Sequence, residues 1–243
     1  MKAWTRRDLT IVPMGQHSMV VACDSCGGVG IKDGDILKLS PRHVAKFTTR
    51  VALTEVLCSG AMPVMITNGV ACEMNPTGAK MILGIKEELE NAGIKDIALS
   101  GSTEENFPTS MTALAVTVIG MGSENDLKFG HAVKGDKLIL LGTPRVGDEV
   151  DLESNGFYEE IKHLRPIPEV REIVPVGSKG VAYEAEGLAS LSGMNCELYK
   201  TGIDYSKSAG PVTCLLVLCD RAIVDYVLNS HPTGTVIGEI HRA

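Results

Sequence analysis

Residues 24–35, Asp-Ser-Cys-Gly-Gly-Val-Gly-Ile-Lys-Asp-Gly-Asp, constrain this chain more than any other stretch. They follow the apolar run Met19-Val20-Val21-Ala22, so an acid stands at the end of an expected strand. Three glycines, a lysine and two further acids come after it. A site for a metal-bound polyphosphate needs carboxylate ligands, backbone N–H groups that can be approached closely, and a cation. The segment therefore reads as a phosphate and magnesium loop. A surface turn closed by Gly27-Gly28, with Asp33-Gly34 as a second turn, is the competing reading of the same residues. Neither common phosphate fingerprint is present. No Gly-x-x-x-x-Gly-Lys-Ser/Thr occurs, and Gly28-x-Gly30-x-x ends in Asp33 where a dinucleotide loop requires glycine.

A chain of 243 residues is long enough for one large domain or two smaller ones, each with a sizeable core. Apolar content of 44% with aromatics at 4% means that core is built from Val, Ile, Leu, Ala and Met, which suits a β-rich α/β or α+β enzyme and argues against disorder. The net charge of −7, with no basic cluster larger than Arg6-Arg7, argues against nucleic-acid and membrane-surface partners. The seven cysteines are odd in number and lie mostly in apolar runs, as Cys214 and Cys219 do, so they read as reduced core residues. Cys23-x-x-Cys26 lacks a second ligand pair for zinc, and glycines follow it where a redox motif would open a helix. No apolar leader and no apolar run near membrane length is present, so a cytoplasmic protein is expected.

A hairpin is expected from Leu9–Pro13 and Ser18–Cys23 around Gly15-Gln16, with a short strand at Ile36–Leu39. Ser40-Pro41 is a helix start signal, and Val44, Phe47, Val51, Glu55 and Cys58 set the inner stripe of a helix to about Ser59, stopped by Gly60. Glu55 on that stripe needs a partner, either Arg50 or another base, or else a metal or catalytic role. A strand over Val64–Cys72, a helix over Thr77–Ala92 and a strand over Ile94–Leu99 lead into a polar loop, Ser100–Thr109, followed by a strand over Met111–Gly120. The second half is expected to hold a strand at 137–141, a charged region at 148–172, and a helix from Lys179 to Leu191 capped by Ser178. Strands near 195–200 and 212–219, a helix from Asp220 and a strand at 236–240 complete it, and an α+β layer is the expected class.

This order resembles the ATP-binding superfamily of aminoimidazole ribonucleotide synthetase (PurM-like), which includes thiamine-phosphate kinase, selenophosphate synthetase and the hydrogenase maturation dehydratase. Asp24 precedes a glycine-bearing loop. Thr54-Glu55-Val56-Leu57-Cys58-Ser59-Gly60-Ala61-Met62-Pro63 is similar to that family's Ser-Asp-x-x-Ala-Met-Gly-Ala-x-Pro, and Ser100–Glu105 to its Gly-Gly-acid-Thr segment. Gly135-Asp136 and Val236–Ile240 fit as well. Within the superfamily the chain most resembles α-ribazole kinase, at Asp24-Ser25-x-Gly27-x-Val29-Gly30-x-Lys32, Arg50-Val51-Ala52 with Glu55, Gly101-Ser102-Thr103-Glu104-x-Asn106-Phe107, Val176–Gly180 and Lys207–Pro211. Ser102 stands where the superfamily commonly has an acid, so Glu104 or Glu105 must supply any charge needed there.

The resemblance implies an N-terminal ATP and Mg²⁺ domain (1–132) whose sheet pairs into a barrel in a homodimer, and a C-terminal α+β domain (133–243). It implies transfer of the γ-phosphoryl group of ATP to the 5'-hydroxyl of α-ribazole, a nucleoside. Asp24, Glu55 and Asp33 or Asp35 would hold Mg²⁺, and Lys32 would add a point charge. Gly27, Gly28 and Gly30, with Ser102, Thr103 and Asn106, would contact phosphate. Glu104 would be a further ligand or the base, and Lys179, Asp204, Lys207 and Ser208 would meet the acceptor. The rivals are another ATP-dependent enzyme of the superfamily, of the thiamine-phosphate kinase or cyclo-ligase type, and a non-catalytic nucleotide-binding scaffold.

Overall fold

The computed structural model describes residues 2–129 and 131–243, which divide into two compact units. The first comprises Met1–Val56, Ala61–Glu124 and the returning segment Leu152–Gly156; the second comprises Leu57–Gly60, Asn125–Asp151 and Phe157–Ala243.

In the first unit β1 (Trp4–Arg6), β2 (Leu9–Met14) and β3 (His17–Gly27) form an antiparallel meander, and β4 (Val29–Gly30) pairs in parallel with β5 (Leu37–Lys38). Helix α1 (Pro41–Ser59) starts at the proline, where the missing N–H costs nothing, and ends at Gly60 with φ 101°. Next come β6 (Met62–Val70), a π-type turn at Met74–Gly78, α2 (Ala79–Asn91), β7 (Ala98–Thr103) and β8 (Ala113–Ser123). The six-stranded sheet has the order β1-β2-β3-β8-β6-β7.

Strand periodicity gives this sheet two unlike faces. Leu9, Ile11, Val20, Ala22, Val116, Val118 and Ile66 are buried on the helix side, where Val56 of α1 packs against Gly120. Gly84 of α2 lies against the Arg42 carbonyl of α1, a crossing too close for any side chain. Arg50 and Glu88 then join the two helices in a buried bidentate pair, with Nε–Oε1 2.6 Å and Nη2–Oε2 3.0 Å. The opposite face presents Met14, Met19, Met62, Met65 and Met121, none of them buried.

The second unit is a five-stranded antiparallel sheet in the order β10-β12-β9-β13-β11. Its elements are β9 (Lys137–Gly142), α3 (Tyr158–Leu164), β10 (Val170–Pro175), α4 (Gly180–Ser190), β11 (Met194–Leu198), β12 (Cys214–Cys219), α5 (Val224–Ser230) and β13 (Thr235–Arg242). Every residue of β12 is buried, the pattern of a strand covered on both faces. Val181, Ala185 and Leu188 of α4 pack on Leu138, Leu140, Leu216 and Leu218.

The observed elements depart from the sequence expectations at identifiable places. The strand expected over 94–99 instead runs Ala98–Thr103, so the first four residues of the polar loop are edge strand. Parallel pairing with β6 supplies the order that Ser, Gly and Thr have no apolar period to announce. The charged region at 148–172 contains α3 and the start of β10. Helix α4 begins at Gly180 without a side-chain cap from Ser178, because the Tyr205 carbonyl accepts from Ala182 N–H instead. Asp220 does cap the following turn, accepting from Ala222 N–H. All seven cysteines are free. Among the described residues no helix is long and apolar enough to cross a membrane.

Candidate active site

The inward parity of Ser18, Val20 and Ala22 on β3 continues to Asp24, which sits on the helix side of the sheet at the end of the apolar core. Burial pushes its carboxyl up to about 6, only partly offset by the Ser25 N–H, and the Asp8 charge adds to the rise. No basic side chain among the described residues pairs with it. A cation at this point would restore the charged form.

After Asp24 the loop folds back on itself. Gly28, at φ 73°, donates its N–H to the Thr112 carbonyl (2.9 Å) and accepts from Ile36 N–H (2.8 Å). Asp35 is buried and takes three donors: Thr112 N–H on Oδ1 (2.7 Å), and Thr112 Oγ1 (2.7 Å) and Lys32 N–H (2.8 Å) on Oδ2. Burial would raise its pKa, but these hydrogen bonds hold it below the usual carboxylate range. Gly30 lies where any side chain would strike Thr112 and Asp35. Within the loop Gly28 provides the left-handed turn and Gly30 the space that seats Asp35 against Thr112, and both Asp35 oxygens are occupied by protein donors. Gly27 has open space around it, the condition for close approach of a ligand.

Lys32 donates to Glu73 Oε2 (2.6 Å), a residue the sequence reading missed. Thr77 Oγ1 donates to the other oxygen of the same carboxylate. Burial would raise the Glu73 pKa, but Lys32 and Thr77 outweigh it and bring it down to about 2. Glu73 opens the Met74–Gly78 turn, whose Met74 N–H donates to Glu105 Oε1 (2.7 Å), and Thr103 Oγ1 donates to that same oxygen (2.8 Å). The turn thus ties the loop after Asp24 to the loop after β7. Glu104 is turned inward, Oε1 accepting from Asn106 N–H (2.7 Å) and Phe107 N–H (3.2 Å). Beside these residues a cavity of about 420 Å³ is lined by Ser100–Thr103 with Met74, Ile82, Lys86 and Leu99. The available signal for Glu73 was its place: it is an acid just past the end of β6, followed by turn residues, whereas Asp24 still lies within β3, opposite Val116.

Glu55 pairs with Arg7 (3.2 Å), and the expected Arg50 is committed to Glu88. Leu9 is opposite Ala22 in the β2–β3 register, so the turn holding Arg7 and Asp8 lies at Asp24's end of the sheet. The four expected metal ligands Asp24, Asp33, Asp35 and Glu55 do not assemble: among the described residues no three His, Cys, Asp or Glu side chains are grouped to hold a metal ion. In the second unit the loop carrying Asp204, Lys207 and Ser208 docks at the start of α4 through Ala182 N–H to Tyr205 O (3.0 Å) and Ala209 N–H to Gly177 O (3.2 Å). Lys207 pairs with Glu149 (2.6 Å), Asp204 accepts from Ser206, and Lys179 lies over the Tyr183 ring.

Two unlike layered units, one with a six-stranded sheet under two helices and the other with a five-stranded antiparallel sheet, define the α+β fold of the PurM-like proteins. Residues 7–122 match the family model described as "AIR synthase related protein, N-terminal domain". Thiamine monophosphate kinase from Aquifex aeolicus superimposes with TM-score 0.70 at 16% identity, over 97% of this chain and 89% of that one. The E. coli hydrogenase maturation protein HypE gives 0.66 at 20%, over 92% and 80%. PurL of T. maritima complexed with ADP gives 0.73 at 14%, over 100% of this chain but 43% of that one. At these identities the fold is what is shared. No curated protein sequence matches the chain.

Proposed function

We propose that this chain is an ATP-dependent small-molecule kinase that phosphorylates the 5'-hydroxyl of α-ribazole. The observation that carries the reading is the convergence of the two unusual loops on the Met74–Gly78 turn, with Lys32 and Glu73 on one side and Thr103 and Glu105 on the other. Phosphoryl transfer asks a protein chiefly for positioning and charge neutralisation, and such a frame supplies both. Mg²⁺ fits as a metal held by one or two carboxylates and completed by phosphate oxygens and water, with Asp24 as its first ligand and the exposed Asp33 within the same loop. When bound it would bridge phosphates and neutralise charge. Gly27 leaves room for a phosphate, Lys32 brings a positive charge, and the cavity beside Ser102 and Thr103 has the mixed lining of a nucleoside site.

The likeness to a solved thiamine monophosphate kinase favours a kinase over a scaffold, and the motifs shared with α-ribazole kinase select the acceptor. The methionine-lined face of the first unit's sheet, an adaptable apolar surface, supports a homodimer. The test is incubation with ATP, Mg²⁺ and a panel of nucleosides, thiamine monophosphate and formylglycinamide-type amides, with mass detection of the product. A phosphorylated α-ribazole is expected. A phosphorylated thiamine ester or a cyclised amide would reassign the acceptor, and no product from any of them would leave the scaffold reading.

A further inference from the structure

Asp24 and the loop that follows it to Asp35 carry three acids and one lysine, with Lys38 folded onto the loop through the Lys32 carbonyl, so the loop's attraction for a triphosphate depends on where Lys32 points. In the structure Lys32 points at Glu73, a short charge-assisted contact of 2.6 Å. We propose that Glu73 is a positioning residue that stands in for a phosphate oxygen, storing Lys32 in the nucleotide-free protein and releasing it to an arriving nucleoside triphosphate. This rests on the nucleotide reading above.

Three features make an exchange possible. Glu73 divides its oxygens, Oε2 for Lys32 and Oε1 for Thr77, so the carboxylate stays anchored when the lysine leaves. Its side chain is 31% exposed, so water can replace the ammonium, whereas a fully enclosed carboxylate would be stranded. Lysine is a point charge on a flexible stem and can change partner without moving the backbone. The Lys32 N–H, held by Asp35, keeps that backbone in place throughout. Each triphosphate must therefore displace an internal anion before it gains the lysine, and removing that anion's charge should strengthen binding.

Titration calorimetry with MgATP and with adenosine decides it, on the parent protein, Glu73→Gln, Lys32→Met and the double variant. Glu73→Gln should bind MgATP about three- to tenfold more tightly and adenosine unchanged, the scale of a partly exposed ion pair. Lys32→Met should weaken MgATP alone, and adding Glu73→Gln to it should restore nothing. Unchanged or weaker MgATP binding by a folded Glu73→Gln protein overturns the proposal, as does an equal change for adenosine, the mark of a merely structural role. If Glu73→Gln does not fold, Glu73→Asp, too short to keep both partners, decides by the same ratio. A parent that binds no MgATP overturns the nucleotide reading itself, a result distinct from a parent that binds and a variant that gains nothing.

Discussion

The loop at 24–35 and the loop at 203–212 carry similar residues, yet they are held in opposite ways. In the first, Lys32 and Asp35 take partners 41 and 77 residues away in sequence, and Asp24 keeps a buried carboxyl whose pKa is pushed up to about 6. In the second, Asp204 is satisfied by Ser206 two residues on, and Lys207 meets the exposed Glu149. Charge paired at the exposed surface contributes little and costs little, whether its partner is near in sequence, as Ser206 is to Asp204, or distant, as Glu149 is to Lys207. A half-buried acid without a cation is costly, and such cost concentrates where a protein uses it. Under the proposed kinase reading, the half-buried Asp24 makes the first unit's loop the one to test for phosphate chemistry.

The comparison breaks first at Asp24. Asp24→Asn should lower ATP turnover by on the order of 100-fold or more, the scale seen when a stabiliser of transferring charge is lost. Unchanged turnover would remove Asp24 from the mechanism. The same variant should melt at a higher temperature than the parent at pH 7.5 in magnesium-free buffer. The sign follows from linkage: a folded-state pKa near 6 against an ordinary 3.8 means that the folded chain binds more protons between them. Parental stability therefore falls as pH rises through that window, and asparagine is spared the loss. Melting curves from pH 4 to 8 should show the gap closing toward pH 4.

Asp35→Ala comes next. It leaves Thr112 N–H, Thr112 Oγ1 and Lys32 N–H without their acceptor and should cost about 3 kcal/mol in urea unfolding, with loss of nucleotide binding. Glu55→Gln should cost about 2 kcal/mol, less than removing one partner of a buried pair outright, because the glutamine carbonyl still accepts from Arg7. Its turnover should keep its magnesium dependence, and a lost dependence would make Glu55 a metal ligand after all. The smallest effect belongs to Lys207→Ala. It should leave the melting temperature within about 1 °C and the KM for ATP unchanged, while raising the KM for the acceptor. A raised KM for ATP would instead count Lys207 among the nucleotide contacts.

Much of the frame was legible before any coordinates. Ser40-Pro41 and Gly60 bracket α1 because proline at a helix start and a left-handed glycine past its end are local requirements. The strand expected over 212–219 is observed as β12, Cys214–Cys219, with every residue buried. What stayed hidden was pairing. Nothing near Glu55 in sequence points to Arg7, and nothing near Lys32 points to Glu73, because ion pairs are chosen by which strand ends meet. Gly30 illustrates the same limit: its glycine suggested approach to a phosphate, while the fold uses the missing side chain to seat Asp35 against Thr112.

The sequence by itself determined where α1 starts and stops, which faces are apolar, and that acids and glycines gather near the ends of two strands. Those properties depend on neighbours within a turn or two of the chain. Only the tertiary structure decided which of the gathered charges are spent on the protein and which, with Asp24 foremost, are left for a ligand. That choice depends on burial and on donors supplied from tens of residues away, which a one-dimensional pattern does not contain.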